Sequence, residues 1–147
     1  MRGFSTLRPV LSFIIIILGV LPAQADSRNC TLLAELYGNC KTVAYANATA
    51  YAGFENTLVI LDLSDPATLT VLSSIDFSHT VEAISVAGPM TYVVTSDSLS
   101  ILDTGYLAQP RVMSTVAVGR EAHDLVVVGT TIYVAVEDNL ERDGLLV

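Results

Sequence analysis

The stretch Leu58-Val59-Ile60-Leu61-Asp62-Leu63-Ser64-Asp65-Pro66 decides the fold, because its first half returns 41 residues later as Leu99-Ser100-Ile101-Leu102-Asp103. Tyr51, Tyr92 and Tyr133 keep the same interval, as do Ala67 and Ala108, Val71 and Val112, and Ser73 and Ser114. Val86 and Val127, Gly88 and Gly129, Val93 and Val134, and Asp97 and Asp138 repeat it again. So many independent positions at one spacing mark an internal duplication. A period of about 40–45 residues is that of four-stranded propeller blades.

Each unit divides into four short strands. Val43–Ala46, Thr49–Phe54, Thr57–Ser64 and Thr70–Asp76 read as strands of the first, and Ala83–Ala87, Thr91–Ser96, Ser98–Thr104 and Arg111–Val118 as strands of the second. Their residues are β-branched, aromatic or small, and the gaps carry Gly, Pro, Asn and Asp. Asn47 and Gly88 mark the first turn of each unit, where a positive φ is tolerated. Asp62, Asp65 and Pro66 form a turn whose carboxylates suit backbone amides and whose proline stops the ladder. Leu32, Leu33 and Leu36 in Thr31–Tyr37 read as the last strand of a preceding unit. The fold class is therefore all-β, with antiparallel propeller-type blades in units 43–82, 83–123 and a partial 124–147, about two and a half blades. Propellers close with about four to eight blades. The reading is thus an incomplete propeller in a truncated chain, with self-association as the alternative, and with the apolar strand Ile132–Val136 exposed and Leu145–Val147 left at an open sheet edge.

Repeats ending in Leu-Val-Ile-Leu-Asp before a Ser-Asp-Pro turn resemble the LVIVD-repeat family of secreted or surface-associated bacterial β-propellers. Ala122-His123-Asp124 leading into Val126-Val127-Val128-Gly129 and Ile132-Tyr133-Val134-Ala135 is similar to the inner-strand pattern of that family. The resemblance runs from about Leu32 to Val147 and implies a fold without a catalytic signature. The second unit departs from it, since Thr104-Gly105-Tyr106-Leu107 replaces the Ser-Asp-Pro turn, so no ligand role of the Asp65 turn carries over to it.

The N-terminus reads as an export signal over residues 1–25. Arg2 and Arg8 precede the apolar run Val10–Leu21, and Ala23-Gln24-Ala25 supplies the small-residue cleavage site. Twelve apolar residues rise only about 18 Å at ~1.5 Å each, against a ~30 Å hydrocarbon core. No membrane span remains after cleavage, and the expected location is periplasmic, extracellular or at the cell surface. In an oxidising compartment the two cysteines of the chain, Cys30 and Cys40, are expected to form a disulfide that tethers the lead segment 26–42. The 147 residues carry 7 basic and 15 acidic side chains for a net charge of −8. Without a basic run, the chain lacks the footprint that phosphate backbones require, which excludes nucleic acid as a partner.

Three candidate sites stand out. His123-Asp124, with Glu82 at the register position of His123, lies at the start of inner strands. It reads either as a channel site for a metal or a polarised water, or as a hydrogen-bonded loop pin. Glu137, Asp138, Glu141 and Asp143 belong to an acidic loop that adds five residues to the spacing seen in the other units. Its oxygens suit Ca²⁺ or another divalent metal, and equally a solvated loop. His79 has no partner in its own neighbourhood. Phosphate loops, nucleophile elbows and zinc-protease motifs are all missing from the sequence. The function expected is an exported, non-catalytic binding or scaffold module without a cofactor, with a protein or glycan as its partner. The alternative is a fragment of a metal-dependent propeller hydrolase.

Overall fold

The computed structural model describes residues 35–65, 67–119, 121–137 and 144–147. The export signal, Cys30, Pro66, Asp138, Glu141 and Asp143 lie outside these residues, and with them the Cys30–Cys40 pairing. Within them the chain forms three antiparallel sheets and no helix. The first blade is β1 (Cys40–Ala46), β2 (Thr49–Phe54), β3 (Thr57–Asp62) and β4 (Thr70–Asp76), paired in chain order. The second repeats it with β5 (Val81–Ala87), β6 (Met90–Thr95), β7 (Ser98–Asp103) and β8 (Arg111–Ala117). The third contains β9 (Glu121–Val128), β10 (Thr131–Glu137) and β11 (Gly144–Leu146). β1 packs beside β5 and β5 beside β9, so these three are the innermost strands of propeller-like blades.

The continuous apolar run of β3 follows from its burial on both faces. Leu58 and Ile60 join Tyr51 in a core completed by Val81, Ile84, Val93 and Leu102 of blade 2. Leu61 turns the other way, onto Ala50 and Ala52. Ala83 and Val94 of blade 2 meet Ala122, Leu125, Val134 and Val136 of blade 3 in the second interblade core. Tyr51 is buried in the first core and Tyr92 packs against the second, as their shared register requires.

Hydrogen bonds repeat with the same period. The Val81 amide, which opens blade 2, donates to the Glu55 carbonyl in the β2–β3 turn at 2.6 Å, and Ala122 donates to Ser96 at 3.1 Å. Phe77 donates to Asn56 and Val118 to Asp97, while Leu63 donates to Ala48 and Thr104 to Pro89, all at 2.8 Å. The Ser73 hydroxyl adds a tie between blades by donating to the Leu107 carbonyl at 2.6 Å.

The turns follow the chemistry of their residues. Asn47 and Ala48 both have positive φ, 51° and 57°, and Gly88 and Gly129 take 60° and 61° at the same register as Asn47. Such turns match the twist of the strands they join. Asp62 Oδ1 accepts from the Ser64 amide at 2.8 Å and from the Ser64 hydroxyl at 2.6 Å. Asp103 Oδ1 accepts from the Gly105 amide at 2.9 Å, so the strand-end aspartates hold turns in both blades. The Ser64 hydroxyl first, and its amide second, hold the Asp62 carboxyl below the usual aspartate range.

Four details differ from the sequence expectation. Glu35, Leu36 and Tyr37 are not in a strand, and residues 31–34 of that expected element lie outside the described residues. Gly38, at φ 147°, packs so closely on the Phe54 ring that the segment bends into β1. The inner strands begin at Cys40, Val81 and Glu121, earlier than expected, because a bulge in each puts one extra polar residue into the apolar alternation. β3 stops at Asp62, where the aspartate caps the turn. Ile132–Val136 is not an open strand, since β10 pairs with both β9 and β11 and buries Val134 and Val136.

Gly53 occupies the register of Val94, yet an added Cβ would lie 2.7 Å from Val81 and 2.8 Å from Thr42. Gly53→Val is expected to destabilise the fold by about 1–3 kcal/mol through overpacking. Ala48→Gly relieves a left-handed L-residue and is expected to stabilise it by about 1 kcal/mol. Urea unfolding midpoints of the two variants, read beside the parent chain, test both. Asp62 titrates lower folded than unfolded, so its turn contributes fully above the unfolded value of ~3.9. That contribution is lost as the pH falls through the lower folded value. An NMR titration of the Asp62 carboxyl should show a depressed midpoint that rises towards the ordinary value in Ser64→Ala.

Candidate functional site

A bulge in each inner strand projects one polar side chain at the same level of its blade. Cys40 pairs with Phe54 and Thr42 with Gly53, leaving Lys41 as the extra residue. Glu82 is extra between Val81 and Ala83, and His123 between Ala122 and Asp124. These three residues share the 41-residue register. The Lys41 ammonium pairs with the Glu82 carboxylate across the blade 1–blade 2 boundary, and the Ser96 hydroxyl donates to Glu82 Oε1 at 3.3 Å. Glu82 is therefore a buried, satisfied acid.

The other channel candidates turn elsewhere. His123 Nε2 lies 3.2 Å from Glu137 Oε2 on the adjacent strand β10. Asp124 Oδ1 accepts from the Leu125 amide at 2.8 Å. His123, Asp124 and Glu82 thus have separate partners and do not converge. Of the acidic loop only Glu137 is among the described residues. These contain no group of three His, Cys, Asp or Glu side chains placed to share a metal ion. Cys40 opens β1 with an exposed thiol 3.5 Å from the Thr42 carbonyl oxygen. Lys41 was not singled out by its sequence, although the register of Glu82 and His123, carried back one period, points to it.

Two grooves occupy matching places on blades 1 and 2. The first, of about 540 Å³, is lined by Leu36, Tyr37, Gly38, Asn56, Val59 and Val71, among others. The second, of about 620 Å³, is lined at the same register by Phe77, Ser78, His79, Asp97, Ser100 and Val112. In each, the segment leading into a blade crosses the outer strands of that blade. The backbone frame is common and the chemistry is not. In the first groove the Tyr37 hydroxyl donates to the Glu35 carboxylate, and that hydrogen bond, with the carboxylate charge, raises its pKa above the usual phenol value. In the second, His79 Nδ1 lies 3.2 Å from Asp97 Oδ1. The Thr95 hydroxyl donates to Asp97 Oδ1 at 3.2 Å and shares a 2.7 Å hydrogen bond with Ser98. Ser100 and Thr115 share another at 3.0 Å. The His79–Asp97 pair was illegible in the sequence, since 18 residues and a blade boundary separate its members.

No curated protein matches the sequence. Among solved structures, the computationally designed Ika8 protein is similar with a TM-score of 0.55 and 12% identity, over 67% of this chain and 30% of the designed one. The chain thus spans less than a third of the length of that protein, and the likeness is one of fold alone. The designed Ika4 protein matches at a TM-score of 0.45 and 7% identity, over 78% of this chain and 94% of that one. The model of the LVIVD repeat matches residues 38–76 and 119–140, which are the strands of blade 1 and the hairpin of β9 and β10. Blade 2 lies between the matched segments and keeps their geometry, while its Thr104–Leu107 turn departs from the Ser-Asp-Pro pattern. These two segments are LVIVD repeats, the family that the sequence pattern around Leu58–Pro66 resembles.

Proposed function

We propose that this chain is an exported, non-catalytic propeller-repeat module that binds a partner through the grooves on its blades. The observation that carries this reading is the matched pair of grooves: the same register positions line both, while the side chains change from Leu36, Tyr37 and Val59 to Phe77, Ser78 and Ser100. A fixed frame with exchangeable contact residues is how repeat scaffolds present binding surfaces. The polar groove of blade 2 suits a glycan. Its Ser, Thr and carboxylate oxygens retain lone pairs beyond the hydrogen bonds they already make, and its His79–Asp97 pair is open to solvent. The distribution of the acids supports a non-catalytic role, since Asp62, Asp65 and Asp103 hold turns and Glu82 joins two blades.

Calorimetric titration of the purified chain with a panel of neutral oligosaccharides tests this reading, with amide shifts mapped by NMR. Binding is expected to move the amides of His79, Ser98 and Thr115, and Asp97→Ala is expected to weaken it at least tenfold, about 1.4 kcal/mol. Binding that Asp97→Ala leaves unchanged would remove the groove from the proposal. A stoichiometric divalent metal in the purified chain, with hydrolysis of a model ester abolished by chelation, would replace it with the hydrolase reading.

A further inference from the structure

The hairpin of β7 and β8 departs from the repeat at its loop, and Asp103, Tyr106, Gln109 and Arg111 there line a small pocket of about 130 Å³. One period earlier the same positions are Asp62, Asp65, Thr68 and Thr70. Both loops make the same backbone turn. The Thr68 amide donates to the Asp65 carbonyl at 2.9 Å in blade 1, and the Gln109 amide to the Tyr106 carbonyl at 3.0 Å in blade 2. In blade 1 the Asp65 carboxylate braces that turn, accepting from the Ala67 amide at 3.1 Å and from the Thr68 hydroxyl at 3.3 Å. In blade 2 the turn forms without this brace, so it does not need the side chains of Tyr106, Gln109 and Arg111. Tyr106 is 66% exposed. Arg111 stands opposite Asp103 in the ladder, yet among the described residues no carboxylate forms an ion pair with it. The loop itself is held firmly. Leu107 packs on the first interblade core, and its carbonyl accepts from the Ser73 hydroxyl of blade 1 at 2.6 Å. The pocket therefore belongs to one anchored hairpin of the middle blade.

We propose that this pocket binds the ring of a uronic acid, a sugar that carries a carboxylate. A planar guanidinium takes a carboxylate through two parallel hydrogen bonds, and Arg111 has its guanidinium available for that. The exposed Tyr106 ring offers a flat apolar face, with a polar tip, on which the C–H face of a sugar ring stacks. The Gln109 amide both donates and accepts. Asp103 Oδ1 is taken by the Gly105 amide at 2.9 Å, and its other oxygen accepts from a sugar hydroxyl. A polyol with one carboxylate thus engages all four side chains. The carboxylate end of a peptide would engage Arg111 alone to the same effect, since no aliphatic side chain lines the pocket to receive its last residue. The pocket shares no lining residue with either groove, so the proposal does not rest on their role in binding.

Titration of the purified chain with glucuronic acid at neutral pH, followed by amide NMR, tests the proposal. Glucose, its counterpart without the carboxylate, and an acetylated dipeptide with a free carboxylate are titrated beside it. Glucuronate is expected to shift the amides of Gly105, Tyr106 and Gln109, and to bind about tenfold more tightly than glucose or the dipeptide. Arg111→Gln is expected to bring its affinity down to that of glucose. Tyr106→Asp, which restores the residue of blade 1, is expected to weaken both sugars. The turn does not need either side chain, so both variants should keep the parent spectrum away from the loop and thereby show that they are folded. Glucuronate that leaves those amides unmoved, or that binds no better than glucose, would overturn the proposal. Binding that survives Arg111→Gln would do the same. A dipeptide that binds as tightly as glucuronate would assign the pocket to peptide ends instead.

Discussion

The hydrogen bond from the opening amide of one blade to the β2–β3 turn of the blade before it is the constraint around which the molecule is arranged. Val81 donates to Glu55 and Ala122 to Ser96, so the same atoms at the same register set the distance between successive sheets. An inner strand must make this bond and still pair with its own hairpin partner. The strand accommodates both by a bulge, and the extra residue is Lys41, Glu82 or His123. A buried Glu82 is sustained there because Lys41 of the neighbouring blade and the Ser96 hydroxyl both reach it. Removing one partner of such a pair costs more than the pair contributes, since it leaves a buried charge unmatched.

With blade spacing set by the backbone, the cores are left to differ in detail. Blade 1 has glycine at position 53, where Val81 and Thr42 crowd in, and blade 2 has Val94 there, facing the smaller Ala122. A small residue on one side of the boundary thus faces a larger one on the other, and the two boundaries place them in opposite order, the kind of exchange that hydrophobic cores tolerate. The outer parts of the blades, free of that demand, carry the variable side chains of the two grooves. Variation between the blades is thus concentrated where the repeated frame does not dictate the residue.

Much of this was legible in the sequence because the relevant physics is local or periodic. The alternation and turn residues around Asn47, Gly88 and Asp62 predict the hairpins, and the tyrosines at one spacing predict an interblade core. Register also tied Glu82 to His123. The bulges were hidden, because an extra residue breaks the alternation from which strands are recognised, and the inner strands were read two or three residues short in blades 1 and 2. The candidate channel site failed for a related reason. His123 and Asp124 are adjacent in sequence, but His123 is the extra residue of the β9 bulge and reaches Glu137 on β10, while the Asp124 carboxylate is taken up by the Leu125 amide.

The sequence by itself determined the all-β class, the blade period, the hairpin turns and the role of the strand-end aspartates, since each rests on side chains acting within a few residues or at a repeated interval. Only the tertiary structure decided that Lys41 meets Glu82, that His79 meets Asp97, and that equivalent grooves flank blades 1 and 2. Those relations form where separate sheets are brought together, and the distance between sheets is a property of packed volumes and cross-blade hydrogen bonds that no linear spacing encodes.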